Sequence, residues 1–392
     1  MSDLTRADAA MPSTRRVAMV LSNDAASDPR VEKEARVLAS AGWEVTIVAW
    51  DRSQSHPAHE RRDGFDVVRL GPPASHGAGL RNVRRYPRFW DAAAGAVLAL
   101  DPHVVHCHDT DTVPVGVRVK RQRPKVRLVL DFHELYAESK MIPRSGIEGA
   151  VARAAVRLIE RRGVRRADAI VFANPGQVGR VAGTGAGDQR VALVENAPDL
   201  ARFPQPSRMS EARDAIRVCF IGKKRDALRL EVLMKAIDGL PQATALLAGD
   251  GTAEEEVRRL AEGRDRITTR GRLMYDEIPP LYEDCDVVYA AYDTSFGNYR
   301  THFPVKAMEG MAAGLPVIVS EGTWVAQYVR EKGVGFVIDD LDPSSVAGAL
   351  RQVLDDPAEA KRMGARGRAI VEDSLNWDAA SERLRTAYDR LA

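Results

Sequence analysis

Apolar and polar positions along this chain are grouped in blocks. Val17–Ser22 is a continuous apolar run suited to a buried strand, Asp28–Ala41 carries helical spacing and ends at Gly42, and Val45–Trp50 is apolar again. The same alternation predicts further strands at Val67–Leu70, Val104–Cys107, Leu128–Asp131, Ala169–Ala173 and Val191–Val194. Such runs, separated by helices, predict parallel strands covered on both faces. A polar stretch with Pro198, Pro204, Pro206 and Ser207 interrupts the series and reads as a linker. A second series follows, with strands at Val218–Ile221, Thr244–Ala248, Ile267–Thr269, Val287–Ala290, Val317–Val319 and Gly335–Val337, and an amphipathic helix closes the chain over Trp377–Leu391. The pattern is that of an α/β chain with two doubly wound units in tandem: a loose tail over 1–16, a first domain over 17–205, a second over 206–375 and a terminal helix over 376–392. Ligands of open sheets bind beyond the carboxyl ends of the strands, so two such edges facing each other make a cleft.

A chain of 392 residues is too long for one core, and its 45% hydrophobic and 29% charged residues are those of a soluble globular protein. No apolar run approaches the ~20 residues that span a bilayer. Met1–Arg16 lacks the apolar centre of a signal peptide, and Cys107, Cys219 and Cys285 stand far apart in strand-like runs, which together predict a reducing, cytoplasmic setting. The net charge of +2 hides an asymmetry: residues 1–200 carry a surplus of about six positive charges and the remainder a deficit of about four. Arg81, Arg84, Arg85 and Arg88, Lys120–Arg127 and Arg161–Arg166 form basic clusters. Solvated helix faces explain them most simply, and peripheral contact with the inner, anionic face of a membrane is the further option. Nucleic acid is not an expected partner, because no basic stripe is interleaved with stacking aromatics.

The most informative segment is Thr301–Ser320, which reads as a helix opened by Pro304, stopped at Gly314-Leu315-Pro316 and followed by a buried strand. Lys306 and Glu309 share one face of that helix. Free amides and a cation at a helix start suit phosphate, and a carboxylate one turn further in can accept two hydroxyls of a ribose. Gly222-Lys223-Lys224-Arg225-Asp226 follows a strand and offers a glycine and three cations to a diphosphate. Gly249-Asp250-Gly251 and Gly271-Arg272-Leu273-Met274 end two further strands, with small residues that let a planar ring approach the backbone. In the first half, Ser22–Arg30 forms a polar loop in which Ser27 or Asp28 can cap the next helix. His106-Cys107-His108-Asp109 and Asp131-Phe132-His133-Glu134 end strands at the proposed cleft, where a neutral imidazole could exchange hydrogen bonds with a sugar hydroxyl. There is no G-x-G-x-x-G dinucleotide fingerprint. Asp109-Thr110-Asp111 has the spacing of a metal-binding D-x-D but reads as a helix cap, and no metal is expected.

Taken in order, Ser27-Asp28-Pro29-Arg30-Val31-Glu32-Lys33-Glu34-Ala35, Val105–Asp109, Asp131–Tyr136, Glu195–Asp199, Leu247–Gly251 and Glu309–Val317 resemble the retaining GT-B glycosyltransferases of family 4, from Arg16 to the C-terminus. The resemblance implies two Rossmann-like domains, a first for the acceptor and a second for the donor, with the last helix returning to pack on the first. It implies metal-independent transfer from a nucleoside-diphosphate sugar of unspecified base, with no resident cofactor. Glu309 matches the second acid of the family's E-x7-E motif, which binds the donor ribose, and His133 the histidine beside the reacting carbon. Lys223 stands for the diphosphate-binding arginine, with Gly222, Lys224 and Arg229 nearby. Gly249, Asp250, Gly251 and Arg272 correspond to the wall around the base, and Phe303, Val305 and Lys306 to the donor loop. Asn23, Asp28, Arg30, Asp109 and Tyr136 would face the acceptor.

The chain departs from the pattern at three places: the first acid is Thr301, the motif's usual glycine is Pro304, and the second phosphate cation falls on Leu228, next to Arg229. Thr301 keeps a hydroxyl for a catalytic contact, whereas Pro304 has no N–H to donate. A branch of the family carries Pro-x-Lys here, as in Pro304-Val305-Lys306. The resulting expectation is a hexosyltransferase-type enzyme acting on a small metabolite, lipid or glycan, as a monomer or homodimer. The alternatives are a sugar-nucleotide epimerase on the same fold and a non-catalytic sugar-nucleotide-binding protein.

Overall fold

The computed structural model describes residues 14–26, 28–74, 84–181, 183–185, 187–203 and 215–391. Ser27, Arg81, the Pro204–Ser207 part of the linker and most of the N-terminal tail lie outside the described residues. The first domain runs β1 (Arg15–Leu21), α1 (Pro29–Ser40), β2 (Trp43–Trp50), β3 (His59–Arg62), β4 (Phe65–Leu70), α2 (Tyr86–Ala99), β5 (Val104–His108), α3 (Val113–Gln122), β6 (Arg127–Phe132), α4 (Gly146–Val164), β7 (Ala169–Phe172) and β8 (Val191–Leu193). Its sheet has the order β3-β4-β2-β1-β5-β6-β7-β8, parallel except for β3 against β4.

The second domain runs β9 (Ile216–Ile221), α5 (Ala227–Asp238), β10 (Ala243–Ala248), α6 (Glu254–Ala261), β11 (Ile267–Arg270), α7 (Ile278–Glu283), β12 (Val287–Tyr289), α8 (Gly297–Thr301), α9 (Val305–Ala312), β13 (Val317–Ser320), α10 (Trp324–Lys332), β14 (Gly335–Ile338), α11 (Pro343–Asp355) and α12 (Pro357–Asp373). Its sheet is β11-β10-β9-β12-β13-β14, all parallel.

Each sheet is buried on both faces at its centre, where the strands are almost wholly apolar. In β1, Met19 joins Ile47 and Val129 on one side while Val20 joins Val48, Trp50 and Phe89 on the other. Asp28 caps α1, its Oδ1 accepting from the Val31 N–H at 3.3 Å, and Pro29 fills the first turn. The last helix, α13 (Trp377–Asp389), follows the second domain but lies on the first. Asn376 caps it, and Ala380, Leu384 and Tyr388 enter the core beside Met19 and Ile47. Each buried Leu or Tyr of that kind contributes roughly 1.5–3 kcal/mol, so the helix fastens the two domains by burial as well as by covalent connection.

One strand was not foreseen, and two local expectations are corrected. The strand β3 has no apolar signal: its sequence, His-Glu-Arg-Arg, pairs at an exposed edge where backbone bonding rather than burial holds it. Cys285 lies in the turn before β12, its thiol donating to the Leu281 carbonyl at 3.1 Å. Pro304 is extended, with φ −62° and ψ 130°, and acts as the N-cap, so α9 begins at Val305 while Thr301 ends the separate helix α8. Among the described residues no helix is long and apolar enough to cross a membrane.

Candidate functional site

The carboxyl ends of β9, β10 and β12 open on a cavity of about 580 Å³ that α1 of the first domain closes from the opposite side. Its lining includes Pro29 and Lys33 from α1, with Gly222, Arg225, Gly249, Tyr292, Val305, Lys306 and Glu309 from the second domain. That volume suits a small organic ligand. Gly249 has φ +120°, and a Cβ there would stand 2.1 Å from the Gly222 carbonyl oxygen, so the two strand-end loops meet backbone to backbone.

Lys306 and Glu309 lie one turn apart at the start of α9, and both are buried. The Lys306 ammonium donates to the Tyr292 hydroxyl at 2.8 Å and lies 3.8 Å from the Phe220 ring centre. Burial draws its pKa down to about 7, with Glu309 working in the opposite direction. Glu309 Oε2 accepts from the Tyr282 hydroxyl at 3.0 Å. Burial pushes that carboxyl up to about 7 against the pull of Tyr282, Lys33 and Lys306. Lys33, from the other domain, faces this pair; burial lowers its pKa to about 8, and its ammonium donates to the Ala197 carbonyl at 3.1 Å. The cavity therefore holds cations whose charge is poorly solvated until an anion arrives.

The remaining predicted donor residues divide into those on the cavity and those the fold uses elsewhere. Lys223 is exposed at the rim, paired with Asp250 at 2.6 Å, and Arg272 is exposed beside it. Lys224 is corrected: it is 1% exposed, and its ammonium donates to the Arg270 carbonyl at 2.8 Å. Arg225 takes its place on the cavity, close to Lys306 and Tyr299. Gly251 packs on the Lys224 backbone, where a Cβ would stand 2.3 Å from the carbonyl oxygen, and is corrected from an open wall to a packing position. Arg229 reaches the lining, but its guanidinium is held by Asp340 at 2.7 Å and Asp293 at 3.3 Å. Thr301 is buried with its hydroxyl donating to the Asn298 carbonyl at 3.0 Å, which removes the catalytic contact expected of it. Phe303 is in the core, and its N–H donates to Asn174 Oδ1 at 2.9 Å, so that amide is not free for a ligand.

On the first-domain side, Asp109 and His133 form a pair at the ends of β5 and β6. Asp109 Oδ1 accepts the His133 N–H at 3.0 Å, and its Oδ2 lies 3.4 Å from His133 Nδ1. His133 Nε2 lies 3.1 Å from Asp131 Oδ2. Burial works against a charged ring, but Asp109 and Asp131 together hold it protonated, with a pKa up at about 10. The expected neutral imidazole is therefore corrected to an imidazolium with both nitrogens turned to carboxylates. Asp109 has a left-handed backbone, φ +65°, uncommon for a residue with a Cβ, and burial raises its carboxyl to about 7 despite His133. Tyr136 is half-buried at the start of a short turn after β6. Asn23 is exposed, bonding Asp28 at 2.9 Å and the Ala25 N–H at 2.9 Å, so this pair shapes the loop entering α1.

Arg30 is corrected from an acceptor contact to a buried support. Its guanidinium donates to both Asp131 oxygens at 3.0 Å and to the Val194 carbonyl at 2.6 Å and stands 3.0 Å from Glu34 as an ion pair, all of them buried. Glu34, His106, His108 and Asp131 bring ligand-type atoms within 4.8 Å of one another, but Arg30 already lies 3.0 Å from both carboxyl groups, and burial pushes Glu34 up to about 8, toward its neutral acid. Sequence reading offered Arg225 to a diphosphate without telling it from Lys224, and it missed three groups: Lys33, Tyr292 and the pair Asn174 and Asn298. Lys33 is legible only as the outward partner of Glu309 across the cleft. The asparagines give no sequence signal, because their work is to bridge elements remote in the chain.

Residues 27–197 match the family described as Glycosyl transferase 4-like domain, and residues 206–370 match Glycosyl transferases group 1. The GDP-mannose-dependent monoacylated alpha-(1-6)-phosphatidylinositol monomannoside mannosyltransferase of Corynebacterium glutamicum is 29% identical over 164 residues, 41% of this chain and 42% of that protein. The chain thus aligns with less than half of that relative's length. The GDP-mannose-dependent alpha-(1-6)-phosphatidylinositol monomannoside mannosyltransferase of Mycobacterium tuberculosis is 25% identical over 375 residues, 89% of this chain and 90% of that protein. Among solved structures, a sucrose-phosphate synthase from Thermosynechococcus elongatus superposes with a TM-score of 0.78 at 22% identity, covering 96% of this chain and 99% of its own. That likeness establishes the two-domain architecture with facing parallel sheets. With two consecutive family matches over most of its length and this architecture, the chain belongs to the group 1 glycosyltransferases of GT-B fold.

Proposed function

We propose that the chain transfers a sugar from a nucleoside-diphosphate sugar to an acceptor nucleophile with retention of anomeric configuration. The observation that carries this reading is the buried pair of Lys306 and Glu309, one turn apart on α9 and facing Lys33 across the cleft. A diphosphate placed against Gly222, Lys306 and Arg225 would supply the counter-charge these cations lack, and Glu309 would accept the ribose hydroxyls. Charge develops on the departing diphosphate in the transition state, where preorganised cations in a poorly solvated cavity act most strongly. The departing phosphate oxygen would take the acceptor proton on the same face, so no side-chain nucleophile is required. Asp109 would face the acceptor, and His133 holds it in place through its N–H and Nδ1.

The test is a panel of nucleoside-diphosphate sugars with lipid, glycan and small-molecule acceptors, reading nucleotide release and the anomeric proton of the product. The names of the relatives put GDP-mannose first among the donors to try. A retained glycoside is the expected result. Interconversion of the donor without an acceptor would make the protein an epimerase, and tight nucleotide binding without turnover on any acceptor would make it a binding protein; either overturns the reading.

A further inference from the structure

A soluble helix normally turns its apolar stripe inward. In α4 one such stripe faces out. Gly149, Glu160, Gly163 and Val164 are buried, whereas Ile147 is 84% exposed, Val151 61% and Leu158 47%. The spacing of these three, with the exposed Ala154 and Ala155 between them, puts them on a single face. Met141, just before the helix, adds a further apolar side chain at 49% exposure. Large hydrophobics this exposed are scattered singly elsewhere among the described residues, at Leu228, Met274 and Leu341, and are clustered only here. The same side of the helix ends in Arg161, Arg162 and Arg165, all exposed, and Arg157 and Arg166 are exposed nearby. Among the described residues none of Arg161, Arg162 and Arg165 forms an ion pair.

We propose that the outward face of α4 docks on an anionic phospholipid bilayer. The apolar row is shallow and one residue wide, which suits insertion at the acyl boundary, and the arginines at its end suit anionic headgroups. A second copy of the chain is the competing occupant, and the serine variants separate the two, since only a dimer would dissociate with them. The position also matters. The segment from His133 runs directly into α4, the turn at Tyr136–Glu138 packs against the helix, and Arg144 lies 5.1 Å from the ring of Phe296 in the second domain. Docking through α4 therefore sets the bilayer beside the mouth of the cleft, on the side proposed for the acceptor.

Co-sedimentation of the full chain tests this, using vesicles of phosphatidylcholine alone and of phosphatidylcholine with phosphatidylglycerol. Binding to the anionic vesicles is expected, falling at high salt. The triple variant Ile147→Ser, Val151→Ser, Leu158→Ser and the double variant Arg161→Glu, Arg162→Glu should each weaken it by about tenfold or more. Leu341→Ser, at an exposed apolar position in the other domain, should leave it unchanged. Nucleotide binding measured on the same samples checks that the variants are folded, and it should not move. No binding to either vesicle, equal binding by wild type and both α4 variants, or a dimer that the serine variants dissociate would each overturn the proposal.

Discussion

Asn298 bridges the two domains beside the cleft: its Nδ2 donates to Glu134 Oε2 at 2.9 Å while its Oδ1 accepts the Leu135 N–H at 3.0 Å. Asn174 makes a parallel tie, donating to the His133 carbonyl at 3.1 Å and accepting from the Phe303 N–H at 2.9 Å. Both asparagines join the loop after β6 or β7 to the segment that precedes α9. The position of Lys306 is therefore coupled to that of His133 through four hydrogen bonds rather than through a shared core.

Asn298→Ala removes one of these ties and leaves the Leu135 N–H without its partner, at a cost of about 1–3 kcal/mol. The expected outcome is a more open pair of domains with a donor KM raised by roughly tenfold, and small-angle scattering together with initial rates checks it. An unchanged radius of gyration and KM would show that the domains are held by other contacts.

The pH dependence of nucleotide binding follows from Lys306 and Glu309. The Lys306 pKa is depressed to about 7, so the unliganded site loses its cation as pH rises through neutrality, and binding a diphosphate then requires proton uptake. Glu309, raised to about 7, loses its carboxylate as pH falls through the same range. Affinity should peak near pH 7 and fall by up to about tenfold per unit on the alkaline side. Titration calorimetry at pH 8 in two buffers of different ionisation enthalpy should register net proton uptake, which Lys306→Met should reduce to the part that Lys33, lowered to about 8, still supplies.

His133 should remain charged through the neutral range. Its pKa is raised to about 10 by Asp109 and Asp131, so its ring resonances should not titrate between about pH 5 and 8. In Asp109→Asn one of the two supporting charges is gone, and the titration should move downward. A wild-type titration near 6.5 would mean that the two carboxylates do not control the ring.

Thr301→Ala separates the sequence reading from the structure. Its hydroxyl is turned into its own helix, bonding the Asn298 carbonyl at 3.0 Å, so transfer rates should stay within about twofold of wild type while stability falls by about 1 kcal/mol. A loss of turnover of a hundredfold, with stability unchanged, would return Thr301 to the reaction.

The contrast between Thr301 and Glu309 marks where the sequence is legible. The fold could be read because its central strands are nearly continuous apolar runs, and Lys306 and Glu309 could be placed because helical spacing puts them on one face. Side-chain direction at the strand ends was not legible in the same way. Lys224 and Arg225 are adjacent cations of similar appearance, yet one is buried against the Arg270 carbonyl and the other lines the cavity. Arg30 lies in the most recognisable motif of the first domain, but its role is set by Asp131, Glu34 and the Val194 carbonyl, which only the folded chain brings together.

The central claim is that a nucleoside diphosphate occupies the cavity closed by α1 over β9 and α9. The most direct measurement is a crystal structure of the protein soaked with the tightest-binding nucleoside diphosphate. The account predicts phosphate oxygens within hydrogen-bond distance of Lys306 and Arg225, and ribose hydroxyls on Glu309. A nucleotide bound elsewhere, with this cavity holding only solvent, would contradict it.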